Sequence, residues 1–260
     1  MKTAGFVKIF VIITYLVMVS VNVLANTLPI NGNNTGQVSN AYPNLFAPAP
    51  VTFSIWGLIY LLLAIYAAYQ FFILGKSKPS QNLKFIQKIG LNFSISSLAN
   101  VGWIFAWHYH QIGLSLLFML VILVNLIRIA NLINHQKLSK IEVFSIKAPF
   151  SIYFGWITVA TIANIVTLLV SLNWAGFGWL DQTWMVLVLI TGAGIGMWRT
   201  LKDSNNFYGL VLIWAYLGIL MRHTSMSGFN NQYPVVINTL VACLIVFVGI
   251  NSWVFLKKQP

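Results

Sequence analysis

The chain reads as an all-α, polytopic transmembrane helix bundle of about eight helices. Of its 260 residues, 58% are hydrophobic and 7% charged, and the mean hydropathy is +0.81. Its apolar runs recur at close to the roughly 20 residues that a spanning helix needs. Backbone N–H and C=O groups in hydrocarbon must be satisfied within their own segment, and these runs are too long for barrel strands, which leaves helices.

The spans fall at about 5–25, 51–74, 86–107, 112–134, 147–172, 183–199, 207–222 and 234–256. The first admits a second reading as a cleaved signal peptide, because Lys2 and Lys8 precede an apolar run ending in Val23-Leu24-Ala25. The second starts near Pro50, since proline suits the first turn of a helix. The stretch from Asp181 to Tyr208 is either two helices or one broken hairpin. Gly192, Gly194 and Gly196 lower its helix propensity, and Asp203-Ser204-Asn205-Asn206 leaves only a short turn. Little chain remains for a soluble domain.

A formal charge of +12 raises the question of nucleic acid, but the basic residues are scattered over alternate loops. Lys2 and Lys8, then Lys76, Lys78, Lys84 and Lys88, then Arg128, Lys137, Lys140 and Lys147, then Arg199 and Lys202, and finally Lys257 and Lys258 fall on one side; only Arg222 falls on the other. This is the positive-inside pattern, with both termini cytoplasmic and the lipid bilayer, not nucleic acid, as partner. A bacterial inner membrane is the expected location. Cys243, the single cysteine, sits in an apolar helix and reads as a packing residue.

An uncharged loop, Asn26 to Ala49, follows the first helix and ends in Tyr42-Pro43-Asn44-Leu45-Phe46-Ala47-Pro48-Ala49-Pro50. Its prolines predict a semi-rigid, extended stretch that could act as a lid. The second helix continues Phe53-Ser54-Ile55-Trp56-Gly57-Leu58-Ile59-Tyr60, the third contains Leu98-Ala99-Asn100-Val101-Gly102-Trp103, and the fifth Tyr153-Phe154-Gly155-Trp156-Ile157-Thr158-Val159-Ala160 and then Asn164. These pieces resemble the TspO/MBR family, the tryptophan-rich sensory proteins related to the translocator protein, at W-x-x-x-Y, L-x-L-N-x-x-W and Y-L-x-W-x-x-F-A-x-x-L-N. The chain departs from the pattern in lacking the second tryptophan of P-x-W-x-P-P and in having Ile152 before the tyrosine. The resemblance implies a five-helix core at 1–172 and an additional three-helix extension at 173–260. It also implies binding of porphyrin, haem or sterol.

The residues carry part of this expectation by themselves. Trp56 and Tyr60 are four apart, Asn100, Trp103 and Trp107 follow i, i+3, i+7, and Tyr153, Trp156 and Ala160 repeat that spacing, so each set shares a helix face. Any single ring serves equally well as interface belt or packing. Asn100 and Asn164 inside apolar spans need a helix, a water or a ligand as partner, and Asn92 and Asn125 share the ambiguity. With Pro48, Pro50 and Phe53 from the lid side, these residues form the expected ligand-binding set. Rings suit the faces of a flat hydrophobic ligand, and carboxamides and phenols its edge.

Other chemistries find less support. His108, His110 and His223 fall at outer helix ends and read as interface residues, with haem ligation as the minor alternative. Glu142, Asp181 and Asp203 lie in loops or at helix ends, so no carboxylate is placed mid-membrane for an ion relay. Gly192 and Gly196 form a small-xxx-small pair suited to close packing within the bundle or between the protomers of a homodimer. No metal-ligand cluster or nucleophile–base pair stands at informative spacing. The leading expectation is a receptor or sensor that needs no cofactor and takes a small hydrophobic ligand. A permease for a lipophilic solute and a light-dependent porphyrin-degrading enzyme are the alternatives.

Overall fold

The computed structural model describes residues 2–74 and 81–257; Lys76, Lys78 and Lys258 of the charge pattern lie outside the described residues. Among those described there is no β-strand, and eight helices are long and apolar enough to cross a membrane. They are α1 (Lys2–Thr27), α2 (Ile55–Leu74), α3 (Gln81–His108), α4 (Ile112–Asn134), α5 (Ala148–Ser171), α6 (Asp181–Asp203), α7 (Asn206–Thr224) and α8 (Pro234–Leu256).

Short elements set the entries and exits. Pro50 opens a 3₁₀ turn, Pro50–Ser54, that runs into α2, as a residue without an N–H to satisfy should. Ahead of α5, the Ser139 hydroxyl accepts from the Glu142 amide at 3.3 Å while the Glu142 carboxylate accepts from the Ser139 amide at 2.8 Å. This capping box satisfies two otherwise orphaned donors. The stretch 181–208 is two separate helices. α6 runs unbroken through its three glycines and stops at Ser204, whose φ of 45° is the left-handed cap that ends a helix.

By contacts the chain forms two compact units, Met1–Val38 with Trp56–Phe154 and Ser39–Ile55 with Gly155–Pro260. The divisions fall in the loop after α1, between Val38 and Ser39, at the start of α2, between Ile55 and Trp56, and inside α5, between Phe154 and Gly155. The 1–172 and 173–260 division concerns kinship rather than packing and is a separate matter.

In the first unit α3 packs against both α1 and α4. It is the most buried of the spans, with 61% of its apolar stretch inside the protein. Bare glycine permits this. A Cβ on Gly90 would lie 2.9 Å from Val7, and one on Gly102 would lie 2.7 Å from the Phe118 ring. Tyr66, Phe93 and Phe150 form an edge-to-face cluster with centroids 4.6–5.5 Å apart, the arrangement that ring quadrupoles favour.

In the second unit α6 and α7 both pack on α8. Both members of the small-xxx-small pair meet α7, Gly192 at the Tyr216 hydroxyl and Gly196 at Leu212. Arg199 and Asp203 do fall at the end of α6, and they form a buried i,i+4 ion pair at 2.6 Å. Pairing within one turn neutralises both charges, which makes their burial tolerable.

Candidate ligand site

Each polar residue of the expected set is best followed within its own unit. In the first, Asn100 is 1% and Tyr153 0% exposed. The Asn100 oxygen accepts a 2.6 Å hydrogen bond from Nδ2 of Asn22 on α1, and Asn22 also donates to the Met18 carbonyl at 2.8 Å. The Asn100 amide is thereby oriented with its oxygen committed and its NH₂ turned away from α1. That NH₂ lies beside the Tyr153 hydroxyl. Neither group makes a geometrically complete hydrogen bond, although both are buried. Polar groups in such surroundings are normally paired, and here the Asn100 NH₂ and the Tyr153 hydroxyl face one another.

Rings adjoin Tyr153. Trp56 stacks on Tyr60 with centroids 5.5 Å apart and meets Tyr153 edge-on at 6.1 Å. The Tyr60 carbonyl accepts from the Tyr15 hydroxyl of α1 at 3.0 Å. The i, i+4 spacing of Trp56 and Tyr60 thus does what it predicts on one helix face, and α5 brings Tyr153 to them.

Trp103 and Trp107 also stack, at 5.5 Å, near the end of α3. Trp107 donates its indole N–H to the Thr35 carbonyl at 3.1 Å, and Asn31 donates to the His108 carbonyl at 2.9 Å. This part of the Asn26–Ala49 loop is therefore docked on α3. His108 is wholly buried, not an interface residue: Nδ1 is bonded to the Ile104 carbonyl at 2.8 Å, and Nε2 contacts the Thr35 hydroxyl at 3.5 Å. With both ring nitrogens engaged, His108 ties loop to helix and is a poor fit for haem iron.

In the second unit Phe53 meets Trp156 edge-on at 5.9 Å. Asn164 is buried, Ala160 and Pro48 are half-buried, and Pro50 is exposed. The loop stretch before the 3₁₀ turn is fastened to α7: Ala49 donates to the Gly218 carbonyl at 2.9 Å, Trp214 to the Thr52 carbonyl at 2.9 Å, and His223 bonds the Leu45 carbonyl through Nε2 at 2.9 Å. His223, also expected at an interface, is fully buried.

Sequence reasoning missed Asn22, His108 as a loop anchor, and His223. Asn22 carried a usable signal, a carboxamide in the middle of an apolar run. Of the two other mid-span asparagines weighed, Asn92 and Asn125 each donate at 2.8 Å to the carbonyl four residues back in their own helix. Among the described residues no group of three or more His, Cys, Asp or Glu is placed to hold a metal.

Fold and site together define a multi-pass helical membrane protein with a polar, ring-walled interior. The sequence model of the TSPO-like protein family matches residues 8–253. The chain belongs to that family, and the match continues past α5 through α6 and α7 into α8. No match was found among curated proteins or among solved structures.

Proposed function

We propose that this TSPO-like protein is a membrane receptor or sensor for a flat hydrophobic ligand, bound against Trp56, Tyr60, Asn100 and Tyr153. A tetrapyrrole is the first candidate class and a sterol-like molecule the second. The observation that carries this reading is the buried Asn100 NH₂ facing the Tyr153 hydroxyl, with the Trp56 ring edge-on to Tyr153. These groups offer donors to a ligand edge bearing carbonyl, hydroxyl or carboxyl oxygens. The rings offer stacking to its face.

We further place the chain in the bacterial inner membrane with both termini in the cytoplasm. Supporting this, Lys84, Lys88, Lys137, Lys140, Lys202 and Lys257 gather at helix ends on one side of the alternation. Ligand binding would act by favouring one packing of the docked loop and helices over another.

Titration of the detergent-solubilised protein with protoporphyrin IX, followed by quenching of tryptophan emission, tests the binding site. One lost hydrogen bond corresponds to about 0.5–1.5 kcal/mol, so Tyr153→Phe and Asn100→Ala are each expected to weaken binding by roughly two- to tenfold. Folded variants that bind protoporphyrin IX or a sterol as well as the parent would overturn the proposal.

A further inference from the structure

The second unit contains a cavity of about 420 Å³ that the residues expected from sequence do not line. It lies where α5 ends and α6 begins, bordered by the Pro43–Phe46 stretch and by Phe229 and Tyr233 ahead of α8. That volume is within the range of small-molecule sites. We propose that this cavity binds an organic ammonium group, tertiary or quaternary, carrying an aromatic or similarly bulky substituent.

Charge is the first argument. Asp181 lines the cavity, and no Lys or Arg does. The chain has three acidic residues in all: Glu142 is used in its capping box and Asp203 is paired with Arg199. Asp181, exposed in the first turn of α6, alone of the three has neither an ion pair nor a side-chain hydrogen bond among the described residues. In a protein of formal charge +12, a cavity whose one charged lining residue is a carboxylate favours a cation over an anion.

The rings are the second argument. Trp174 and Trp184 meet at 4.8 Å in an edge-on pair, and both line the cavity with Phe46, Phe229 and Tyr233. Aromatic rings and a carboxylate lining one cavity suit a poorly hydrated ammonium ion, which gains from the ring quadrupoles without the strong hydration of a simple metal cation. Phe229 already contacts a cation in this way, since the Arg222 guanidinium lies 5.8 Å from its centroid.

The cage is also held in shape before any ligand arrives. Trp184 donates its indole N–H to the Gly176 carbonyl at 2.7 Å. A Cβ at Gly176 would lie 2.7 Å from that same nitrogen, so only glycine lets the indole close on the backbone. Gly176, Phe177 and Gly178 all have positive φ, 59°, 54° and 77°. Phe177 pays conformational strain there, and the kinked turn it completes sets Trp174 against Trp184. Fixed rings reduce the ordering cost of binding.

The ammonium could belong to a free amine or to a choline lipid headgroup, and the test separates the two. Protein in maltoside detergent, free of choline lipid, is titrated with benzyltriethylammonium, an uncharged phenylalkane of equal size, and an arylsulfonate, with tryptophan quenching as readout. A parallel series uses nanodiscs with and without phosphatidylcholine. Saturable binding of the ammonium at least tenfold tighter than the phenylalkane is expected, with no arylsulfonate binding. Asp181→Asn is expected to erase most of that preference while leaving protoporphyrin IX binding unchanged. Competition by phosphatidylcholine assigns the headgroup as source; indifference to it assigns a free amine. Equal binding of charged and neutral probes, or an Asp181→Asn protein that keeps the cation preference, would overturn the proposal. So would absence of ammonium binding both in detergent and by competition in nanodiscs. Trp184→Phe keeps a ring but loses the bond to Gly176, and is expected to weaken the ammonium severalfold without changing its preference over the phenylalkane.

Discussion

Replacing Asn22 with alanine tests how the proposed site is oriented without touching the groups assigned to the ligand. The substitution removes the 2.6 Å bond to the Asn100 oxygen and leaves that oxygen buried beside an apolar gap. A buried acceptor stripped of its donor costs about 1–3 kcal/mol, although interhelical polar contacts in membranes average nearer 0.6 kcal/mol, with a maximum of about 1.7. The lower range is the appropriate one here, because Asn22 also bonds its own helix at Met18 and is only partly committed to Asn100. A loss of about 0.6–1.7 kcal/mol is therefore expected in thermal or denaturant unfolding of the detergent-solubilised protein. Freed from Asn22, the Asn100 amide can turn over, and binding of protoporphyrin IX should weaken about two- to tenfold through loss of one aimed donor. The double variant Asn22→Ala/Asn100→Ala closes a thermodynamic cycle. Because both substitutions act through one amide, their effects on binding should fall well short of the sum. Additive effects, or tight binding retained in Asn22→Ala while Asn100→Ala loses it, would refute the claim that Asn22 orients the site.

Three other outcomes follow from the packing. Gly218→Ala drives a methyl group into Thr52 and should destabilise the protein by about 1–3 kcal/mol, with partial recovery in Gly218→Ala/Thr52→Gly; thermal unfolding measures both. Asp203→Asn leaves Arg199 as an unpaired buried charge and should cost about 3–5 kcal/mol, whereas Arg199→Met/Asp203→Leu should cost much less, since the pair is neutral as a unit. In a Cys243→Ala background, an impermeant maleimide applied to intact cells should label Ser227→Cys and not Ser139→Cys, with the reverse in inside-out vesicles, if the charge pattern reports orientation.

The helices were legible in the sequence because hydrocarbon leaves the backbone few choices: long apolar runs must satisfy their own hydrogen bonds, and Pro50 and the capping box at Ser139 mark entries that local chemistry sets. Trp56, Tyr60 and Tyr153 were legible as site candidates by helical spacing, and the structure does bring those three rings together. Other features depend on partners far along the chain. Asn22 reaches Asn100 across 78 positions, His223 reaches Leu45 across 178, and the Thr35 hydroxyl meets His108 across 73. A histidine at a helix end looks the same in sequence whether it faces lipid headgroups or is roofed by a returning loop. Asp181 was visible as a residue, but the cavity it lines exists only because the Pro43–Phe46 stretch, the ends of α5 and α6 and the approach to α8 meet there. Local periodicity and solvent preference determine which segments span the membrane. Which polar groups are completed by another segment and which are left open is decided only when tertiary packing brings distant residues within hydrogen-bonding distance.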